Sequence, residues 1–156
     1  MGRQIVRRNI LEGHDKLFAD YFSDNPVYND DTFRRRFRMT KGLFLRIMYV
    51  VTDHDVYFTQ WPNAANQLRC NPLQKVTAAL RMLATACSAD SLDSDLRMTK
   101  STIIESLLHF VRSVLDIFRP YYLRRPNDDD ISRLLAKAEE RGFFGMLGSI
   151  DCMHWI

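Results

Sequence analysis

Cysteine is scarce and badly placed for pairing: Cys70, Cys87 and Cys152 are odd in number and show no Cys-x-x-Cys spacing. A disulfide framework and a zinc module are both unsupported, and a reducing nuclear or cytosolic compartment fits. Long apolar runs are missing too. No stretch approaches the roughly 18–20 apolar residues of a spanning helix, and Met1–Arg8 lacks the apolar core of a secretory signal, so neither membrane nor secretion is expected. Met1-Gly2 does not make a myristoylation motif, because Val6 stands where Ser or Thr is needed. Charge of one sign is in small excess, 22 Lys and Arg against 19 Asp and Glu, which permits a polyanionic partner without demanding one. Internal repeats and low-complexity segments are absent. What is present is a 156-residue chain with 46% hydrophobic residues, enough for a real core.

Periodicity predicts a mainly α-helical chain. A first helix falls within residues 4–22 on Ile10, Leu11, Leu17, Phe18 and Phe22, with Gly13 as an interruption. Ser23-Asp24-Asn25-Pro26 is turn chemistry, and Asp30 or Asp31 can cap a short helix carrying Phe33 to Arg38. Thr40 caps a third helix whose apolar positions are Leu43, Phe44, Ile47, Met48 and Val51. Residues 52–72 read as a long connection packed by Tyr57, Phe58 and Trp61, with no legible function. A core helix starts near Pro72, with Val76, Leu80, Leu83 and Cys87 on one stripe. A short helix at 91–96 follows, then a long one capped by Thr99 and ended by Pro120. Its apolar stripe is Ile104, Leu107, Leu108, Val111, Leu115 and Phe118. A last helix runs over 128–141, with Leu134, Leu135 and Ala138 inward and Gly142 as its stop. Small and apolar residues from Met146 to Ile150 then suit a buried strand ending at Asp151.

Three features bear on chemistry. Core helix, short helix and polar-tipped long helix is the order of a helix-turn-helix, with Lys100, Ser101 and Thr102 at the tip offered to a major groove; an ordinary three-helix bundle gives the same pattern. Arg34, Arg35, Arg36 and Arg38 form the densest basic cluster, suited to phosphate contacts or to ion pairing with Asp30 and Asp31. Asp151, at the C-terminal end of the expected strand, stands where open α/β sheets place metal- and ligand-binding groups, with His154 close by. A strand-end Asp satisfying turn amides would look the same. The remaining histidines, His14, His54 and His109, are scattered and suggest no role.

Five blocks in order carry a more specific signal: Asp24-Asn25-Pro26-Val27-Tyr28, Phe33-Arg34-Arg35-Arg36-Phe37-Arg38-Met39, Pro72 to Leu83, Tyr122-Leu123-Arg124-Arg125-Pro126, and Gly145 to Trp155. Together they resemble plant PIF/Harbinger-type DDE transposases over nearly the whole chain. The resemblance implies a helical N-terminal region over 1–127, with a helix-turn-helix-like unit near 73–118. A linker helix and the first strand of an incomplete RNase H-like α/β nuclease domain would fill 128–156. It makes Asp151 the first of three carboxylates that bind two Mg or Mn ions for DNA cleavage and strand transfer. The second Asp and the Glu have no counterpart here, so this chain is expected to be a fragment and inactive by itself. Ile156 and Phe144 depart from the family pattern. The implied setting is the nucleus, with DNA bound weakly or with help from a Myb-like accessory protein, or a chromatin partner. The alternative is a non-enzymatic DNA- or protein-binding module derived from a transposase.

Overall fold

A computed structural model describes residues 8–62 and 68–149. The chain divides into two compact units, residues 1–118 and 119–156. Seven α-helices are present among the described residues: α1 (Ile10–Tyr21), α2 (Asp30–Phe37), α3 (Lys41–His54), α4 (Pro72–Thr85), α5 (Ala89–Leu96), α6 (Lys100–Tyr122) and α7 (Asp128–Glu140). A 3-10 turn, Val56–Phe58, follows α3. None of these helices is long and apolar enough to cross a membrane.

Asparagine starts four of the helices. Asn9, Asn29, Asn71 and Asn127 each accept a hydrogen bond from a backbone amide in the first turn, and Asn71 and Asn127 form reciprocal capping boxes with Gln74 and Asp130. The cap of α2 is therefore Asn29, whose side chain accepts from Thr32 N at 3.0 Å, and not Asp30 or Asp31. Those two aspartates lie in the first turn, where their charge favours the helix dipole. Thr40 caps α3 as expected, and Thr99 Oγ1 accepts from Thr102 N at 3.2 Å to cap α6.

The larger unit has α4 as its axis. Eight successive residues, Leu73 to Leu80, are buried, so the first two turns of the helix are covered on every side and not along one stripe. Around its start lie α1 and α5, and against it α2 and α3 bring an aromatic cluster. Phe33 and Phe37, four residues apart on α2, stack at 4.3 Å, and Phe44 of α3 meets both edge-on at 5.7 and 5.2 Å. Tyr21 of α1 closes the group against Phe33 and Phe37 at 5.8 and 5.5 Å. Each such buried ring is worth roughly 1.5–3 kcal/mol of apolar burial, which is why the short α2 is stable in place.

Several expectations change. Gly13 does not interrupt α1; it is buried where α1 crosses the end of α5, and a Cβ there would lie 2.5 Å from the Leu96 carbonyl oxygen. The inward stripe of α1 is Gly13, Leu17 and Tyr21, while Leu11 and Phe18 are exposed. Leu83 of α4 and Leu43 of α3 are exposed as well. On α6 the buried positions are Ile103, Ser106, Phe110 and Ser113; of the expected stripe, Ile104, Leu108, Val111 and Leu115 are exposed, Leu107 packs half-buried against the core and Phe118 is half-buried. Trp61 is exposed, whereas Phe58 is buried as expected.

Pro120 lies inside α6, two residues before its end. A proline there lacks the amide that would bond to the carbonyl four residues back, yet the last turn continues, with Leu123 N reaching the Arg119 carbonyl at 2.9 Å. In the smaller unit α7 has no buried residue; Leu135 and Ala138 are half-buried and Leu134 is exposed. No strand forms over residues 146–149. A strand needs a neighbour for its amides and carbonyls, and no described residue offers one beyond an isolated bridge of Pro62 with Leu68. The rest of the expected strand, with Asp151 and His154, lies outside the described residues.

Gly13→Ala is expected to lower stability by about 1–3 kcal/mol, since backbone and not a flexible side chain opposes the added carbon. Gly42→Ala, where nothing lies within 4 Å of the added carbon, should be neutral or stabilising by up to about 1 kcal/mol. Urea unfolding of both variants checks the pair; equal effects would refute the close crossing of α1 and α5.

Candidate nucleic-acid interface

The basic cluster on α2 splits in two because helical geometry sends neighbours in different directions. Phe33 and Phe37 take the buried side, and Arg34, Arg35 and Arg38 are exposed. Arg34 and Arg35 are exposed on the last turn of α2, and Arg38 follows as its C-cap in the left-handed conformation, with φ of 57°. Arg36 turns inward. Its guanidinium lies 4.0 Å from the Tyr28 ring centre and donates to the Tyr21 hydroxyl, and that hydrogen bond raises its pKa further, ahead of the opposing effect of burial. Asp30 pairs with Lys41 at 3.4 Å and not with these arginines.

The N-terminal tip of α6 is a compact polar knot. Thr99 Oγ1 lies 3.0 Å from Ser101 Oγ and 2.8 Å from Thr102 Oγ1, so the first-turn hydroxyls bond to one another while Lys100 and Ser101 are exposed. The free amides of a helix N-terminus carry a partial positive charge. Hydroxyls, an ammonium group and that dipole together suit phosphate or base-edge contact. No hydrogen bond or ion pair links this tip to the α2 arginines among the described residues.

One turn inward from the tip, α6 is held by a cluster of residues whose sequence positions predict no association. Tyr57 of the 3-10 turn stacks flat on His109, with ring centres 4.0 Å apart and 7° between planes. Its hydroxyl reaches Ser106 Oγ at 3.1 Å, and the Thr102 carbonyl and Glu105 at 3.4 Å. Asp55 accepts from Tyr57 N at 2.8 Å and pairs with His109 Nδ1 at 2.7 Å. Beneath them Lys75 of α4, buried, donates to the Tyr57 carbonyl at 2.6 Å and lies 4.5 Å from the Tyr57 ring centre.

Burial pushes the Tyr57 phenol up to about 12 and moves the Lys75 ammonium below its usual value. At Asp55 burial acts to raise the pKa, but hydrogen bonds from His109, the Tyr57 amide and Ser113 outweigh it and hold the carboxyl below its ordinary range. The arrangement contains a His–Asp pair without a nucleophile aligned on it, and its partners are all structural: it orients α6. Residues 52–72 and His109 suggest no role by spacing, because Asp55 and His109 stand 54 positions apart.

Residues 13–52, which carry most of α1, all of α2, most of α3 and the aromatic cluster, match a family model described as a domain of unknown function, DUF8418. A second model matches the end of the chain. Over residues 120–156 the chain is similar to plant transposon proteins. No curated protein and no solved structure matches it. The transposon-like stretch takes in the end of α6, the Arg124-Arg125-Pro126 turn, α7 and the segment that contains Asp151. It supports a plant transposon-related origin. Among the described residues no group of three His, Cys, Asp or Glu side chains could hold a metal ion, and Asp151 is not one of those residues.

The Asp55 carboxylate predicts an acid-sensitive brace. Its folded pKa is lowered, so its stabilisation is present above the unfolded value of about 3.9 and is lost as pH falls through the folded value. Asp55→Asn should cost about 1–3 kcal/mol at pH 6 and lose less stability than the unaltered chain between pH 6 and pH 3. Urea midpoints at the two pH values measure this; equal losses would show that the carboxylate is not held by His109.

Proposed function

We propose that this chain is part of a Harbinger-type DDE transposase or a transposase-derived nuclease, and that its helical region associates with DNA. The match of residues 120–156 to plant transposon proteins carries the reading. The succession α4, α5 and α6 supports a helix-turn-helix-like unit, with three-residue connections at 86–88 and 97–99 and Lys100, Ser101 and Thr102 at the tip of the third helix. In this reading that tip enters the major groove and Arg34, Arg35 and Arg38 hold phosphates. Arg36, turned onto Tyr21 and Tyr28, supports the α2 surface from behind.

Asp151 is then the first of three nuclease carboxylates, and Mg or Mn the ion it would share. Two-metal phosphoryl chemistry needs further acidic oxygens, so DNA association, and not cleavage, is the activity proposed for these residues. A nuclear location and help from a Myb-like protein belong to the same reading. A second reading, a non-enzymatic module that binds a Myb-like or chromatin protein, is favoured by one observation. Ile104, Leu108, Val111 and Leu115 leave an apolar stripe exposed along α6, as a helix-binding partner requires.

Fluorescence anisotropy with a labelled 20-base-pair duplex, repeated across salt concentrations, tests the first reading. Binding should weaken steeply with salt, and Arg34→Ala, Arg35→Ala and Arg38→Ala together should reduce the log–log slope by about 0.9 for each phosphate that is no longer neutralised. Lys100→Ala should weaken binding further. Affinity untouched by all four substitutions, or no binding at low salt, would sink the DNA reading and leave the partner-binding one.

A further inference from the structure

The side of α6 that points away from the core is apolar. Ile103, Ser106, Phe110 and Ser113 are buried, while Ile104, Leu108, Val111 and Leu115 are 41%, 51%, 37% and 46% exposed. With about 100° of turn per residue, the two sets point in nearly opposite directions, and both belong to the larger unit. The exposed residues follow one another at intervals of four, three and four. That alternation is the a/d pattern of a coiled-coil seam, which a helix carrying the same pattern covers. A contiguous apolar row open to water marks a contact surface.

The flanks of the row select its occupant. Directly after Ile104 and Val111 stand Glu105 and Arg112, both exposed. Among the described residues Glu105 accepts one long hydrogen bond, from the Tyr57 hydroxyl at 3.4 Å, and Arg112 has no hydrogen bond or ion pair. Directly before Leu108 and Leu115 stand Leu107 and Val114, half-buried against the core. One flank is thus an acid and a base seven residues apart, and the other is apolar.

Two copies of α6 running in opposite directions, with the two-fold axis between Leu108 and Val111, set Ile104 opposite Leu115 and Leu108 opposite Val111. Each pairing occurs twice, and this register covers all four residues of both copies. Like flanks then meet, so Glu105 of each copy falls beside Arg112 of the other, and Leu107 beside Val114. Parallel copies would bring unlike flanks together. Leu107 would then lie beside Arg112, with Lys100 and Glu105 as the opposite charges in reach, so the antiparallel pair is the better match.

We infer that α6 pairs with α6 of a second copy of this chain, antiparallel, through Ile104, Leu108, Val111 and Leu115 and two Glu105–Arg112 ion pairs. Four apolar side chains per copy make a contact smaller than the roughly 800 Å² per partner of a standard interface. The dimer is accordingly weak, with a dissociation constant on the order of 10–100 µM. DNA association plays no part in this inference. The face is the one that the second functional reading gives to a different protein, and here the chain itself occupies it.

Sedimentation equilibrium of the full chain without DNA, from about 5 µM to about 500 µM, tests the inference. A monomer–dimer equilibrium is expected. Leu108→Glu changes an exposed position, so helix content by circular dichroism should hold while association weakens at least about tenfold. Glu105→Arg alone and Arg112→Glu alone each set like charges side by side twice and should weaken the dimer about three- to tenfold. The two reversals together exchange the signs of both pairs and should return association to within about twofold of the unaltered chain. In a parallel pair the double reversal would instead set two cations together at positions 100 and 105 and restore nothing. A chain that stays monomeric to about 500 µM would overturn the inference and leave the face to a different protein. Association untouched by Leu108→Glu, or a double reversal no stronger than the single ones, would overturn it as well.

Discussion

The larger unit is organised around one carbonyl, that of Leu96 at the end of α5. A helix C-terminus leaves carbonyls without intrahelical donors, and this one is met by the Gln74 side-chain amide at 3.1 Å. The same amide nitrogen donates to the Ile10 carbonyl at 3.0 Å, and its oxygen accepts from Asn71 N at 3.3 Å. A fully buried glutamine thus ties α1, α4 and α5 together with three side-chain hydrogen bonds. Gly13 makes the junction possible, because any other residue would place its Cβ against that carbonyl.

The polar residues of the central helix follow from the same constraint. The buried first turns of α4 carry Gln74 and Lys75, and both need partners, since an unpaired buried polar atom is costly. Gln74 finds the ends of α1 and α5, and Lys75 finds the Tyr57 carbonyl and ring. The second of these reaches α6 through Tyr57, His109 and Asp55, so the helix that presents Lys100 and Ser101 is oriented from the core outward. The aromatic cluster does the same for α2, holding Phe33 and Phe37 inside and leaving three arginines outside. The ion pair of Lys16 on α1 with Asp95 on α5, at 3.8 Å, is exposed and adds little by comparison.

Local signals in the sequence are legible where they are chemical. Thr40, Thr99 and the Pro72 start of α4 sit where capping and proline preference place them. The α2 cap is ambiguous in sequence because Asp30 and Asp31 are also good cap residues, and only backbone geometry shows Asn29 in the extended conformation that a cap requires. Gly13 looks like a break because glycine lowers helix propensity; its close approach to Leu96 spans residues far apart in sequence. On α6 the most apolar stripe is not the buried one, since packing there is set by Tyr57 and Asp55, which select Ser106 and Ser113 for the inside. The tip residues and the α2 cluster can be named from sequence, but the inward turn of Arg36 depends on Tyr21 and Tyr28.

By itself the sequence determined the mainly helical class, most helix starts, the aromatic positions of α2 and α3, and the likeness to plant transposon proteins, because each of these rests on neighbours in the chain or on ordered blocks of residues. Tertiary structure alone decided which face of each helix is covered, and where Lys75, Asp55 and His109 meet. Those outcomes come from contacts between residues tens of positions apart, and packing, not propensity, chooses among the faces that local periodicity leaves equivalent.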